Sequence, residues 1–318
     1  MRALVTGAAG FVGSQLVDAL LARGDNVLGV DCFTAYYERS AKEANLAPAS
    51  TSPRFELVEA DLRSAAIEPL LDGVDVVFHQ AAQAGVRLSW SHGFADYVGH
   101  NVLATQRLLE AVVVGRPTAR VIYASSSSVY GNQPVYPVPE LALPQPCSPY
   151  GVTKLAAEHL CALYAEVAGV HTTSLRYFTV YGPRQRPDMA MHRLCEAAIG
   201  REPFPRYGDG TQIREFTYVD DVVRANLLAA AADTAPGMMC NIAGGDEITL
   251  AALIELVGEL AGEPVKIDAQ AAQPGDAVRN GGSIEHAAEL LEWAPHIGLR
   301  AGVAAQLAWH RSGRELAP

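Results

Sequence analysis

The sequence predicts an α/β protein, a doubly wound parallel sheet with a second, smaller α/β lobe. Three observations predict it. Short apolar runs alternate with amphipathic stretches through the first third of the chain. A glycine-rich turn joins the first apolar run to the first helical stretch. From about residue 179 the alternation loosens into Pro- and Arg-rich loops with separate helices. Strand–helix alternation implies right-handed crossovers, and so parallel strands with helices on both faces.

The elements follow in order. Residues 2–6 read as a buried strand, and residues 11–23 as a helix with Phe11, Val12, Leu16, Leu20 and Leu21 on one side, the spacing of a core-facing stripe. Residues 26–30, 55–58, 75–79 and 120–124 supply further strands, and residues 64–71 and 94–114 further helices. Beyond them come loops at 183–187 and 202–210 and helices near 219–232, 250–261 and 301–312. No internal repeat or low-complexity linker separates the halves. The expected division is a doubly wound domain of residues 1–178, with 217–244 returning to it, and a second lobe of 179–216 and 245–318.

Composition bounds the function. At about 150 residues per domain, 318 residues make roughly two domains. The chain is 49% hydrophobic and 19% charged, with 28 Gly and 19 Pro, a globular composition that excludes a disordered or collagen-like chain. The formal charge, 24 − 35 = −11, recruits neither nucleic acid nor an acidic membrane. An anionic ligand therefore needs a local Arg or Lys cluster. Cys32, Cys147, Cys161, Cys195 and Cys240 are odd in number and form no CxxC pair. That pattern excludes a zinc ribbon or disulfide scaffold and favours a reducing compartment. No apolar run approaches the ~20 residues that cross a bilayer, and Met1–Gly7 breaks into Thr-Gly too early for a signal peptide. The expectation is a soluble, cytoplasmic protein.

Thr6-Gly7-Ala8-Ala9-Gly10-Phe11-Val12-Gly13 places Gly7, Gly10 and Gly13 directly after a strand and at the opening of a helix. Such a turn needs backbone angles that glycine tolerates, and a Cβ there would block a pyrophosphate or hold the helix off the sheet. The helix N-terminus, around Phe11 and Val12, then offers N–H groups to phosphates. Asp31 ends the second strand, 18 residues after Gly13. A carboxylate there accepts from ribose hydroxyls and repels a 2′-phosphate, so the Rossmann-type site reads as NAD rather than NADP. Asp61 and Leu62 suit the adenine rim, and Ala81 and Ala82 are small enough to let the cofactor pass. Lys42 reaches either the ribose or solvent.

Tyr150 and Lys154 stand four residues apart on a helical stretch, and so share a face. A free Tyr has a pKa of ~10, and a useful base near neutrality needs a shift of about 3 units, or ~4 kcal/mol. A nearby ammonium and a positive nicotinamide both favour phenolate. Lys42, Lys154 and Lys266 are the only lysines in the chain, which makes a chance Tyr-x-x-x-Lys improbable. The pair follows Ser125-Ser126-Ser127-Ser128-Val129-Tyr130-Gly131 at the mouth of the fifth strand, the end at which doubly wound sheets bind ligands. His79 and His100 sit in apolar stretches and read as core residues. No HExxH motif or carboxylate cluster suggests a metal.

These motifs, with Tyr207–Thr211 and Tyr218–Asp221, resemble an extended short-chain dehydrogenase/reductase of the nucleotide-sugar type, along nearly the whole chain. Gln83–Arg87 and Arg176–Ala190 are most similar to UDP-glucuronate 4-epimerases. The resemblance implies that Tyr150 is the base at the sugar 4-hydroxyl, that Ser126 hydrogen-bonds that hydroxyl, and that Lys154 binds the nicotinamide ribose, with Tyr177 also on the cofactor side. It implies transient oxidation at C4, rotation of the 4-keto sugar and return of the hydride, with NAD as a bound catalyst. A related dehydratase carries Asp-Glu, and a related decarboxylase Glu, where this chain has Ser127 and Ser128. Ser127, Ser128, Thr179 and the fork of Arg186 would clamp a glucuronate carboxylate out of line with the keto group. UDP-glucose/UDP-galactose epimerases usually carry Asn in place of Thr179, which favours UDP-glucuronate to UDP-galacturonate. A neutral-sugar epimerase and a UDP-glucuronate decarboxylase are the alternatives. Arg87, Arg193 and Arg214 are expected on the diphosphate and Asp276 on a ribose hydroxyl, although Gln273 departs from an Arg in relatives. Asn101 is expected to be structural. Outward apolar positions on helices 94–114 and 150–168 imply a homodimer; a monomer burying them internally is the alternative.

Overall fold

The computed structural model describes residues 1–90, 93–200, 202–271 and 278–315. Seven parallel strands form the main sheet: β1 (Arg2–Thr6), β2 (Asn26–Asp31), β3 (Phe55–Glu59), β4 (Val76–His79), β5 (Arg120–Ser126), β6 (Thr172–Tyr177) and β10 (Met238–Ile242). Their order is β10-β6-β5-β4-β1-β2-β3, with the reversal of direction between β1 and β4. That is the topological switch point of a doubly wound sheet, where the cleft opens. Four more short strands are β7 (Val180–Tyr181), β8 (Phe204–Tyr207), β9 (Ile213–Tyr218) and β11 (Asp246–Thr249), and a fifth is β12 (Ile267–Gln270). They make a three-stranded sheet β11-β9-β7 and a two-stranded sheet β12-β8.

Helices α1 (Phe11–Ala22), α2 (Arg39–Leu46), α3 (Phe94–Tyr97), α4 (Ala104–Gly115) and α5 (Pro149–Ala168) precede α6 (Ala190–Ala198), α7 (Val219–Ala231), α8 (Leu250–Ala261), α9 (Glu285–Leu291) and α10 (Leu299–Glu315). One apolar core joins α1 (Phe11, Leu16, Leu20) to one sheet face (Val5, Phe78, Ile122) and runs on through α7, α6, α8 and α10. A second core packs α4 and α5 (Leu108, Val112, Ala157, Cys161) on the opposite face. Helix faces and sheet faces thus bury each other, as the alternation requires.

Two expected helices differ. Residues 64–71 form only a short 3₁₀ turn, Glu68–Leu71. Pro69 supplies no N–H and pushes the residue before it away from the α region, so a helix cannot run through it. The stretch 94–114 is helical but contains a π-helical segment, Val98–Leu103, of the kind that often marks functional sites. The expected loop 202–210 holds strand β8, paired in parallel with β12. Among the described residues, no helix is long and apolar enough to cross a membrane.

Candidate active site

The cleft at the carboxyl ends of β1, β2, β4 and β5 gathers Gly7, Gly10, Phe11, Val12, Gly13, Asp31, Lys42, Asp61, Leu62, Ala81, Ala82, Tyr150, Lys154, Tyr177 and Arg186 in its walls. The turn below it is built on close approach. Gly7 has φ +68°, and a Cβ on it would lie 2.8 Å from the Ala81 backbone; a Cβ on Gly13 would lie 2.1 Å from the Gly7 carbonyl. Helix α1 opens at Gly10 with no side-chain cap, so its first N–H groups face the cleft without a competing acceptor of their own. Asp31 accepts from the Ala9 N–H at 3.1 Å and the Phe33 N–H at 2.8 Å, which fixes its carboxylate on the cleft wall. A bare helix start, a turn with no room for a Cβ and a fixed acid beside it suit a dinucleotide pyrophosphate and ribose.

Around this cradle, Lys42 is not in solvent: its ammonium donates to Thr34 O at 2.9 Å and lies 4.9 Å from the Tyr37 ring centre. Burial pulls its pKa down, against the opposing pull of Asp31. Asp61 is held by Arg63 at 2.7 Å, whose hydrogen bonds lower the carboxyl pKa. Tyr177 bonds Asn226 at 2.8 Å and Gln80 at 3.2 Å. Cys32, Thr34, Tyr36, Tyr37, Gln80, Gln83, Ser125 and His100 also line the cleft. Cys32, Thr34, Tyr36 and Tyr37 follow Asp31 closely in sequence and Gln80 precedes Ala81, which is their only signal there, whereas Gln83 and Ser125 fall in motifs the sequence already offers. His100 is therefore not a core residue; the π-helical segment brings it to the rim. His79 does lie in the core, with Nδ1 2.7 Å from Thr6 Oγ1 and Nε2 2.9 Å from Thr105 Oγ1, and burial takes its pKa down to about 3.

Tyr150 and Lys154 open helix α5. Ser148 caps it by accepting from the Gly151 N–H at 3.1 Å, and Pro149 fills the first turn, where a missing N–H costs nothing. A Cβ on Gly151 would meet the Ser128 carbonyl at 2.4 Å, so glycine lets the serine segment lie against the helix beside Tyr150. Burial raises the Tyr150 pKa, while a hydrogen bond with the Ser126 side chain and the charge of Arg186 lower it. The Tyr97 ring meets Tyr150 edge-on at 6.1 Å. Lys154 donates to Ala124 O at 2.7 Å, and burial depresses its pKa to about 7. Arg186 is thus a cation whose charge favours the Tyr150 phenolate, and Lys154 stands four residues along the same helix.

Arg186 pairs with Asp188 at 3.0 and 3.1 Å, and Tyr36 donates to the same carboxylate at 3.2 Å. Asn101 clasps the Gln83 backbone at 2.8 and 3.0 Å and donates to Thr153 at 2.9 Å, tying the β4 loop to α5. The remaining expected substrate residues lie outside these walls. Ser127 and Ser128 form the 3₁₀ turn after β5. Thr179 Oγ1 accepts from Asn280 at 3.0 Å. Arg87 stacks 4.3 Å from the centre of the Tyr207 ring in β8. Arg193 is half-buried on α6, and Arg214 donates to the Ile213 carbonyl at 2.8 Å. Asp276 and Gln273 lie outside the described residues.

A doubly wound sheet whose switch point joins a glycine turn, a ribose-side acid and a Ser/Tyr/Lys set defines a nicotinamide-dinucleotide enzyme of the short-chain dehydrogenase/reductase class. The model of the NAD dependent epimerase/dehydratase family matches residues 3–243, and the chain belongs to this family. It is 39% identical to the "Uncharacterized UDP-glucose epimerase YtcB" of Bacillus subtilis, over 97% of this chain and 98% of that one. It is 33% identical to the UDP-glucuronate 4-epimerase of Thermodesulfobacterium geofontis, over 98% and 97%. The crystal structure of UDP-glucuronic acid 4-epimerase from Bacillus cereus, in complex with UDP-glucuronic acid and NAD, superposes with a TM-score of 0.95 at 38% identity, covering 98% of this chain and 99% of that one.

Proposed function

We propose that this chain is a 4-epimerase of UDP-sugars that interconverts UDP-glucuronate and UDP-galacturonate with NAD as a resident cofactor. The observation that carries the reading is the placement of the Arg186 guanidinium in the same cleft wall as the Tyr150 phenol. Gly7, Gly10, Gly13 and the first turn of α1 would hold the NAD pyrophosphate, Asp31 the adenosine ribose and Lys154 the nicotinamide ribose. When bound, NAD accepts a hydride from sugar C4 and gives it back. Tyr150 takes the 4-hydroxyl proton and gives it back to the same oxygen once the turned sugar has presented its other face to the hydride, and Ser126, already bonded to that phenol, steadies the oxygen as it becomes a carbonyl. Ser127 and Ser128 stand where relatives that eliminate water or CO₂ carry acids, so hydride return is the outcome this chain supports. Arg186, with Ser127, Ser128 and Thr179, holds the C5 carboxylate away from the carbonyl π system and so protects a β-keto acid from decarboxylation. Arg87, Arg193 and Arg214 would meet the diphosphate, and Asp276 a ribose hydroxyl.

A second reading has its own support: Asp188 already neutralises Arg186, which suits an uncharged sugar such as UDP-glucose. The test is NMR of the products of UDP-glucuronate, UDP-glucose and UDP-xylose, assayed side by side without added reductant. UDP-galacturonate formed fastest from UDP-glucuronate is expected. Faster turnover of the neutral sugars overturns the carboxylate clamp, and bulk CO₂ release overturns epimerisation.

The same reading makes the first lobe, 1–178 with 217–244, the NAD domain, and 179–216 with 245–318 the nucleotide-sugar lobe. The parallel pairing of β10 with β6 supports it. It also makes the protein a homodimer, supported by the exposed Phe94, Val98, Leu103, Val152 and Leu163 on α3 to α5 and the π-helical segment between α3 and α4. A cytoplasmic location fits the five cysteines, all of them free thiols.

A further inference from the structure

His192 and Glu196 lie four apart on α6, and His310 of α10 faces them; one ligand atom from each lies within 4.8 Å of the other two. The hydrogen bonds around them decide which nitrogens carry protons. His192 Nδ1 is 2.7 Å from the Gln185 carbonyl oxygen. A carbonyl only accepts, so Nδ1 is the donor, and the lone pair of the neutral ring is on Nε2. His310 Nδ1 is 2.6 Å from Glu196 Oε1, so the edge of this ring that faces the carboxylate is Nδ1, with a proton held between the two. A carbonyl behind the imidazole, as Gln185 stands behind His192, is the arrangement that fixes tautomer and orientation in metal-ligating histidines. The two rings stand edge-to-face with centroids 4.5 Å apart, and Trp309 closes on both. The His310 side chain is 2% exposed and that of Glu196 is 18% exposed.

We propose that His192, Glu196 and His310 form a divalent transition-metal site, with zinc as the ion their chemistry suits best, that clips α10 to α6. Two imidazole nitrogens and one carboxylate oxygen are a donor set for zinc, whereas magnesium and calcium take oxygen ligands. Bonds of ~2.0–2.1 Å put two ligands of a tetrahedral ion roughly 3.4 Å apart. The ion takes the place of the proton between His310 Nδ1 and Glu196 Oε1, opening that 2.6 Å spacing by about 0.8 Å, and spacings as wide as 4.8 Å close by up to about 1.4 Å, within reach of the half-buried His192 and Glu196 side chains. Water completes the fourth position. The clip adjoins the segment that carries Arg186. Gln185 bonds His192 through its carbonyl, accepts from Gln306 of α10 at 2.8 Å and donates to Val180 O at 2.9 Å. The site is structural and lies outside the cleft.

The test strips the full-length protein with chelator, returns zinc chloride, and measures bound zinc by mass spectrometry, affinity by competition with a chromophoric chelator, and the melting temperature. One zinc per chain, a melting temperature raised by several degrees, and at least about tenfold weaker binding in both His192→Gln and Glu196→Gln are expected. The two variants differ in which helix position they alter, so a folding defect in one leaves the other to decide. Zinc held equally by wild type and both variants, as thiols would hold it, overturns the proposal, and so does no zinc above background in the wild type.

Discussion

Lys154 shows how burial sets chemistry at a single residue. Its ammonium is buried and bonded to a carbonyl, and its pKa falls to about 7. The sign follows from linkage: in the unfolded chain this lysine stays charged up to a pKa of ~10.4, so between those two values the unfolded state binds more protons and stability rises with pH. The penalty for holding Lys154 in the fold is complete below about pH 7 and fades toward pH 10. Lys154→Met removes it. The melting temperature of Lys154→Met minus that of wild type should be larger at pH 7 than at pH 9.5, and a difference independent of pH would refute the assignment. Tyr150→Phe tests the neighbouring phenol: turnover should drop by ~10² or more while NAD affinity, measured by fluorescence titration, stays within a few-fold. At this scale the sequence was legible where chemistry follows from spacing. Gly7, Gly13, Asp31, Tyr150 and Lys154 meet in one cleft because strand ends and a helix face put them there. The field of Arg186 on Tyr150 was not legible, since 36 residues separate them and only the tertiary fold joins them.

Elements explain how these residues stay in place. Helix α5 begins with a capping serine, a proline and a glycine whose missing side chain admits the Ser128 carbonyl. Gly151→Ala puts a methyl where that carbonyl lies, a clash of the sort that costs ~1–3 kcal/mol. Chemical denaturation should register that loss, and kcat should fall further than stability alone explains, because the serine segment moves away from Tyr150. Unchanged kcat at lowered stability would separate the segment from the chemistry. The long helices α1, α7 and α8 were readable in the sequence, α1 from the apolar stripe that it buries, and α5 from the four-residue spacing of Tyr150 and Lys154. The π-helical segment was not: it depends on Asn101 reaching the Gln83 backbone and on Thr105 donating to the Asn101 carbonyl at 2.7 Å. Strands as short as Val180–Tyr181 have too few residues for an alternating pattern to register. They exist because β9 pairs with them.

The whole molecule carries a charge of −11, yet it keeps a row of apolar side chains facing outward on one side. Leu103 and Val114 are 46% and 75% exposed, and Val152, Leu163 and Val167 are 47%, 51% and 76% exposed. Leu103 and Val114 are eleven residues apart, as are Val152 and Leu163, close to three helical turns; each pair therefore repeats along one side of its helix. Contiguous apolar surface of this kind marks an interaction site, and a stable interface needs roughly 800 Å² from each partner. The helix that presents Val152 and Leu163 also carries Tyr150 and Lys154, so pairing across this face would brace the catalytic helix from behind. Light scattering should therefore find a particle of twice 33.8 kDa, with a melting temperature that rises with protein concentration. Leu163→Glu places a charge in that face, which should shift the protein toward the 33.8 kDa species and lower kcat while the dinucleotide turn, on the far side of the sheet, still binds NAD. A wild-type protein that stays monomeric at tens of micromolar, or a Leu163→Glu dimer with full activity, would move the interface elsewhere and leave α5 to be held by its own cap, the Asn101–Thr153 bond and the core beneath it.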